Sequence, residues 1–293
     1  MGFNPLKINT MKNIFFIGIG LIGGSFAIDI KKHLPNTVLH GISRKDETLN
    51  KALELKLIDK KATLNDLENA DLVIVSIPVD ATVKLLPTIL DKISDTTLVV
   101  DAGSTKEAIC KAVEHHKRRR NFLACHPIAG TEKSGPTAAI SGLYKGKTNI
   151  ICEVEKTTFK LQETALDLFR AIGMRIRYMD AVSHDKHIAY VSHLSHISAF
   201  MLGKTVIEKE KNERDIFDMA GSGFESTVRL AKSSPAMWTP IFKQNKENVI
   251  ETLEEYIGNL QHFKELMQQD NFSEIFKEME NTNYIKQILN GIN

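Results

Sequence analysis

From Asn13 to about residue 180 the chain repeats one texture: a short run of β-branched or aromatic apolar residues, then a stretch with apolar positions at helical spacing. The runs are Ile14 to Ile17, Val38 to Ile42, Leu72 to Ile77, Leu98 to Asp101, Phe122 to Ala124, Asn149 to Cys152 and Arg175 to Tyr178. Parallel strands need a crossover between them, and a helix is the usual one, so this alternation predicts βαβ units. The expected fold is α/β, with a doubly wound Rossmann-type sheet. Asp80 is read as the cap of a helix over 81–90 and Ser104 as the cap of one over 105–116. Residues 1–11 are polar, lack periodicity and read as a tail.

After Asp180 the strands stop. Long helical patterns follow, broken by Gly221-Ser222-Gly223 and by Pro235, which predicts a second, all-helical domain. The boundaries are set at 12–180 for dinucleotide binding and 181–293 for substrate binding and dimerisation. Ile188, Val191, Leu194, Ile197, Phe200 and Met201 recur at helical spacing, and Ala189, Ala199 and Leu202 widen the stripe nearly all round. A helix apolar on most faces is a deeply buried one, and burial against a second subunit makes the expected assembly a homodimer. Gly258, Phe263 and Met267 read as packing positions of a helical bundle.

Lys plus Arg number 38 and Asp plus Glu 36 in 293 residues, a net charge of +2 that excludes a basic nucleic-acid binder and an acidic disordered chain. No apolar run approaches the roughly 18 residues of a membrane span, and no signal-peptide pattern opens the chain. A soluble, cytoplasmic protein is expected. Cys110, Cys125 and Cys152 are odd in number and widely spaced, which suits free, half-buried thiols rather than a disulfide framework or a thiolate metal cage. Cys125 beside His126 raises a thiolate nucleophile, but one neighbour in sequence fixes no hydrogen bond. His184, His187, His193 and His196 include pairs three apart, yet no carboxylate triad accompanies them and no metal is expected. The basic run His115 to Arg120 closes a predicted helix and reads as a solvated end complementing the helix dipole.

Gly18-Ile19-Gly20-Leu21-Ile22-Gly23 directly follows the first run and opens the first helix, the context that makes this spacing a dinucleotide fingerprint. Gly18 permits the tight turn, Gly20 lets the backbone approach a pyrophosphate, and Gly23 allows close helix-to-strand packing. The helix start, with Leu21 and Ile22, presents unpaired N–H groups to the phosphates. Ser76 and Pro78, at the end of the third run, are assigned to the same cofactor site. Twenty residues past Gly23 the second run ends in Ser43-Arg44, where an NAD site usually places a carboxylate on the ribose 2′-hydroxyl. A hydroxyl and a guanidinium suit a 2′-phosphate, so NADP is favoured over NAD, with Asp46 close by as a contrary sign.

Two polar segments follow later runs: Asp101-Ala102-Gly103-Ser104-Thr105-Lys106, and Cys125-His126-Pro127 through Gly135. Ligands of open α/β sheets bind beyond the carboxyl ends of strands, where both segments fall. His126, read as a loop residue, is the best candidate for proton chemistry near neutral pH.

These segments, with Val191-Ser192-His193-Leu194-Ser195-His196 and Gly223-Phe224 through Arg229 to Trp238, resemble the prephenate or arogenate dehydrogenases of tyrosine biosynthesis over nearly the whole chain. The resemblance implies an oxidative decarboxylation: hydride leaves the carbon bearing the ring hydroxyl for the nicotinamide, carbon dioxide departs, and the ring becomes aromatic. It implies that His126 accepts the hydroxyl proton, that Ser104 orients His126 and the hydroxyl, that Arg229 pairs with a substrate carboxylate, and that His196 holds the substrate's polar groups. Thr131, Glu132 and Trp238 match family segments by position and join the substrate set. Glu225 departs from the pattern, standing where some relatives carry a basic residue. Two other readings stay open: another two-domain dehydrogenase acting on a β-hydroxyacid or imino acid, and a catalytically silent NADP-sensing protein. The helical pattern reaches close to the chain end, so neither an appended regulatory domain nor a fused mutase is expected.

Overall fold

Among the described residues eight strands form one sheet in the order β3-β2-β1-β4-β5-β6-β7-β8. The computed structural model describes residues 8, 10–211, 213 and 215–290. The strands are β1 (Asn13–Ile17), β2 (Val38–Ile42), β3 (Lys60–Lys61), β4 (Leu72–Val75), β5 (Leu98–Asp101), β6 (Phe122–Pro127), β7 (Thr148–Cys152) and β8 (Arg175–Met179). Seven of them coincide with the apolar runs. The eighth, β3, is a pair of exposed lysines on the sheet edge and carries no apolar signal. The first six strands run parallel, and the order reverses between β1 and β4, the switch point at which open α/β sheets bind ligands. Ile17, Val75 and Asp101 lie level across the register, so the loops after β1, β4 and β5 open on one rim.

β7 departs from the expected parallel pattern and pairs antiparallel with β6. No crossover α-helix lies between them, only a short 3-10 turn at Pro136–Ala138, so the chain doubles back. β6 also runs three residues past the apolar run, placing His126 inside the strand opposite Ile150 rather than in a loop.

Alternate residues of each strand feed opposite faces. Ile14, Phe16, Leu39, Ile74, Leu98 and Leu123 pack on one side; Phe15, Ile17, Val73, Val75, Val99 and Phe122 pack on the other. Of the expected tail, residues 1–7 and 9 lie outside the described residues. Ile8 and Met11 are buried in the first of these clusters, and the Met11 carbonyl accepts a 2.8 Å hydrogen bond from Thr37.

The helices that cover the sheet are α1 (Leu21–His33), α2 (Asp46–Glu54), α3 (Val79–Lys92), α4 (Glu107–Ala112) and α5 (Phe159–Ala171). Two expected caps are displaced. Pro78 occupies the cap of α3, its ring fixing φ, and Asp80 falls inside the first turn. Helix α4 starts two residues later than expected, and its first N–H groups are met by Asp185 from a distant helix, not by Ser104. With α4 ending at Ala112, the basic run lies in turns rather than on a helix end. Arg119 is buried there, donating to the Phe122 carbonyl at 2.8 Å, pairing with Glu153 at 2.9 Å and covering the Phe122 ring.

Beyond β8 come α6 (Ala181–Ile188), α7 (Leu194–Glu210), α8 (Ser222–Val228), α9 (Pro235–Gln244), α10 (Lys246–Gln268), α11 (Phe272–Thr282) and α12 (Ile285–Asn290). Asp180 caps α6 by accepting from the Ser183 N–H. A single π turn, Ala189–His193, joins α6 to α7. The chain divides into two compact units, Met1–Lys246 and Glu247–Asn293. In the second unit His262 of α10 bonds Glu278 of α11 at 2.9 Å, and Leu266 and Ile275 are buried. Phe263 and Met267, expected to pack, are exposed, Gly258 faces open space, and Phe263 lines a groove of about 990 Å³ with Leu260, Phe276 and Met279. The apolar stripe that runs through the π turn into α7 is only partly covered within one chain: Ile188, Ala189 and Ala199 are buried, while Val191, at 73% exposure, Met201 and Leu202 face outward. No helix among the described residues is long and apolar enough to cross a membrane.

Candidate active site

The glycine loop is shaped by three different demands. Gly18 has φ +93°, and a Cβ there would lie 2.5 Å from the Ser76 carbonyl oxygen. At Gly23 a Cβ would lie 2.3 Å from the Gly18 carbonyl oxygen and 2.4 Å from the Ser76 Oγ. Gly20 differs: the nearest atom to its would-be Cβ is the Gly135 nitrogen at 4.0 Å, so the loop is open where a phosphate has to approach. It also caps α1 without a side-chain hydrogen bond, leaving the first N–H groups of the helix for an anion. Leu21 is buried and half-buried Ile22 accepts from Tyr144 Oη through its carbonyl, so both offer a ligand main-chain atoms. Ser76 spends its hydroxyl on the Gly18 carbonyl at 2.7 Å and serves the loop, and Pro78 starts α3 on the same rim.

At the end of β2, Ser43 Oγ accepts from the Lys45 N–H and Arg44 is exposed. Asp46 is engaged by Lys61 at 2.6 Å and by Asn50 at 3.1 Å, and the Lys61 hydrogen bond holds its carboxyl below the usual carboxylate range.

His126 is 9% exposed, and its Nδ1 lies 2.8 Å from Nε2 of His184 in α6. His184 Nδ1 lies 2.7 Å from Oδ1 of Asp185. The same carboxylate accepts from the backbone N–H of Lys106 at 2.7 Å and of Glu107 at 3.0 Å. Burial holds the His126 pKa well below its ordinary value, and His184, Lys106 and His193 push in the same direction. The ring is therefore a neutral base through the physiological range, with Nε2 free of any partner among the described residues.

The strand ends beneath it are joined by a buried ion pair. Lys106 and Asp101 side chains are both fully buried and in contact. Lys106 Nζ also donates to the Cys125 carbonyl at 2.7 Å, while Asp101 accepts from the Cys125 N–H at 3.0 Å and the Gly103 N–H at 2.9 Å. All three cysteines are buried rather than half-buried. Burial raises the Cys125 thiol well above its ordinary range and Cys152 to about 12, so neither is a thiolate nucleophile.

A second group gathers on the helices. His196 stacks on Trp238 with centroids 3.6 Å apart, and His193 meets the same indole edge-on. Asn245 donates to the Asp185 carbonyl at 2.6 Å and to His193 Nδ1 at 3.2 Å, which places the His193 proton on Nε2. Among the described residues that Nε2 and Trp238 Nε1 are buried without a hydrogen-bond partner. Arg229 reaches Glu132 through one 3.4 Å contact, and Thr131 Oγ1 accepts from the Lys133 N–H. Glu225 pairs with Lys232. Ser104 is half-buried with no hydrogen bond to His126 among the described residues; the group on His126 is His184. Sequence reasoning passed over His184 and Asp185 as neighbours of His126, and gave Asp101 and Lys106 no role.

Glycines cleared for a pyrophosphate, on the same carboxyl edge as a histidine fit to remove a hydroxyl proton, are the working parts of a nicotinamide-dependent dehydrogenase. A family model described as the nucleotide-binding domain of prephenate dehydrogenase matches residues 26–178, and one described as its dimerization domain matches 180–281. The chain belongs to the prephenate dehydrogenase family. It is 31% identical over 275 residues to prephenate dehydrogenase of Bacillus subtilis, covering 92% of this chain and 74% of that one. Cyclohexadienyl dehydrogenase of Zymomonas mobilis is 28% identical over 262 residues, 88% of this chain and 89% of that one. Among solved structures, prephenate dehydrogenase of A. aeolicus with hydroxyphenyl propionate and NAD+ superimposes with TM-score 0.88 at 32% identity, covering 96% and 99% of the two chains.

Proposed function

We propose that this chain catalyses the oxidative decarboxylation of prephenate, arogenate or both, in the formation of tyrosine. The observation that carries the reading is His126, buried at the carboxyl edge of β6 with one ring nitrogen bound to His184 and the other open. The opening at Gly20 and the uncapped start of α1 fit a dinucleotide pyrophosphate held by Gly18, Gly20, Leu21, Ile22 and Gly23. A bound nicotinamide supplies the acceptor for the hydride lost by the carbon that bears the hydroxyl. His126 Nε2 takes the hydroxyl proton as that carbon becomes a carbonyl. The ring carboxylate then leaves as carbon dioxide, its bonding electrons complete the aromatic ring, and the oxygen recovers a proton from His126. Among the described residues Arg229 makes one weak side-chain contact, to Glu132, so most of its five donors stay available to a substrate carboxylate, and its charge is felt at His196.

NADP is the preferred cofactor in this reading: Asp46 is neutralised by Lys61, and exposed Arg44 is available to a 2′-phosphate. The division at about residue 180 assigns the nucleotide to 12–180 and substrate and dimer contacts to 181–293, in line with the two family-model spans. The uncovered apolar faces of α7 support a homodimer, working in the cytoplasm. Mixing the protein with prephenate or arogenate and NADP or NAD, and following the absorbance of the reduced nicotinamide, tests the whole. Turnover with a higher kcat/KM for NADP is expected; no reduction with any of the four pairings ends the reading.

A further inference from the structure

We infer that Asp185 and His184 act as positioning residues that set the tautomer of His126, through two hydrogen bonds that leave its Nε2 lone pair facing the substrate hydroxyl. The inference deepens the reading of His126 as the base and rests on it.

An ionised carboxylate only accepts hydrogen bonds, so the 2.7 Å contact from His184 Nδ1 to Asp185 places a proton on that nitrogen. Asp185 also receives the first N–H groups of α4, at Lys106 and Glu107. Its two oxygens are thus engaged by three donors, which hold the carboxylate in place. The cation of Lys106, on the β5 side, and His193, from the π turn, both oppose a charged ring at His126. With its Nδ1 proton given to Asp185 in a hydrogen bond, His184 turns its Nε2 lone pair to His126. The 2.8 Å contact between that lone pair and His126 Nδ1 requires the proton to belong to His126 Nδ1. A neutral imidazole carries one proton, so His126 Nε2 is bare.

The opposite arrangement, with His184 donating to His126, would put the His126 proton on Nε2 and turn the base into a donor. What separates the two is the identity of the last group, an acceptor that never offers a proton back. During the reaction the proton from the substrate hydroxyl arrives at His126 Nε2, and the cation so formed keeps its Nδ1–H directed at His184. His184 in turn keeps its Nδ1–H directed at Asp185. No proton has to move along the chain; the aligned dipoles stabilise the charge in place. Asp185 is also tied to the helices by Asn245, which donates to its carbonyl at 2.6 Å, so the relay has a fixed base.

The test begins on the unmutated protein labelled with 15N-histidine. Two-bond 1H–15N correlations, with the His126 signals assigned by comparison with His126→Asn, are expected to show Nδ1 protonated and Nε2 bare. A proton on Nε2 in the resting protein overturns the proposal, with no variant needed. His184→Phe keeps a ring in place and removes the acceptor. It is expected to release the tautomer preference of His126 and lower kcat about 10²- to 10⁴-fold, with KM for the cyclohexadienol and the cofactor Kd within about threefold. Asp185→Asn is expected to fall in the same direction, and wild-type kcat in His184→Phe overturns the proposal. A wild-type chain that turns over no cyclohexadienol but shows the expected tautomer would sink the assigned reaction and leave the relay standing.

Discussion

Gly20 and Gly23 lie three residues apart in one loop, yet an added methyl should do opposite things at the two positions. Gly23→Ala drives a Cβ to 2.3 Å from the Gly18 carbonyl oxygen and 2.4 Å from the Ser76 Oγ, distances no packed pair sustains. The helix must withdraw from β1 and β4, and overpacking of this kind costs about 1–3 kcal/mol. Gly20→Ala meets nothing closer than 4.0 Å, and its φ of −101° with ψ of −153° is extended backbone that alanine adopts freely. Alanine lowers the entropy of the unfolded chain but is a poorer helix cap than glycine, two small effects of opposite sign, so its stability should stay within about 1 kcal/mol of wild type. What the methyl fills is the space a pyrophosphate needs. Losing close approach of even one main-chain donor to a charged phosphate should cost about 1.5–3 kcal/mol, a tenfold to hundredfold rise in Kd. Urea denaturation and calorimetric titration with NADP and NAD read the two effects separately. A Gly20→Ala protein that binds either dinucleotide as wild type does, or that loses as much stability as Gly23→Ala, would refute the placement of the phosphates.

The buried pair beside β6 supplies another prediction: Lys106→Met strands Asp101 without its cation and should cost about 3–5 kcal/mol in urea melts, whereas Asp101→Asn with Lys106→Met should recover much of it; a single-variant cost below about 1 kcal/mol contradicts the role. Because burial holds His126 well below 6.5, the acid-side fall of kcat/KM should set in below that pH, and a limb centred at 6.5 or above would count against it as the base. His193 is pushed down to about 4 by burial, so between pH 6.5 and about 4 the unfolded chain binds more protons than the folded one. Its contribution to stability is whole above 6.5 and lost as pH falls towards 4; on going from pH 7.5 to 5.0 wild type should lose about 2 kcal/mol more than His193→Gln, and equal losses would show that this ring is not the cause.

Seven strands were legible because each is an apolar run between helical stretches, a signal carried by the residues themselves. β3 was not, since Lys60 and Lys61 pair only by virtue of lying beside His40 and Gly41. The reversal at β7 escaped notice for a different reason: strand composition is the same in either direction, and direction is set by what the connection contains. Within the site, Gly18, Gly20 and Gly23 could be ranked from spacing because their roles are local. His184 and Asp185 could not, because His184 reaches His126 across 58 residues of chain with Asp185 behind it, and the caps of α4 come from 79 and 78 residues away. The pair Asp101 and Lys106 stood in plain view in a quoted motif; only burial turns two ordinary charges into a clamp. The resemblance likewise brought Arg229 and Glu132 into the substrate set without showing that they touch.

The π turn at Ala189–His193 has the Leu194 N–H reaching back to the Ala189 carbonyl, one residue further than an α-helix allows. Everything after it is rotated by about 100° from where an unbroken helix would carry it. His196 lies three residues past this turn and stacks on Trp238, so the phase of the helix that carries the ring follows from one extra residue. Gaining or dropping one amino acid there would re-phase His196 against Trp238 while leaving the sheet, His126 and the glycine loop in place.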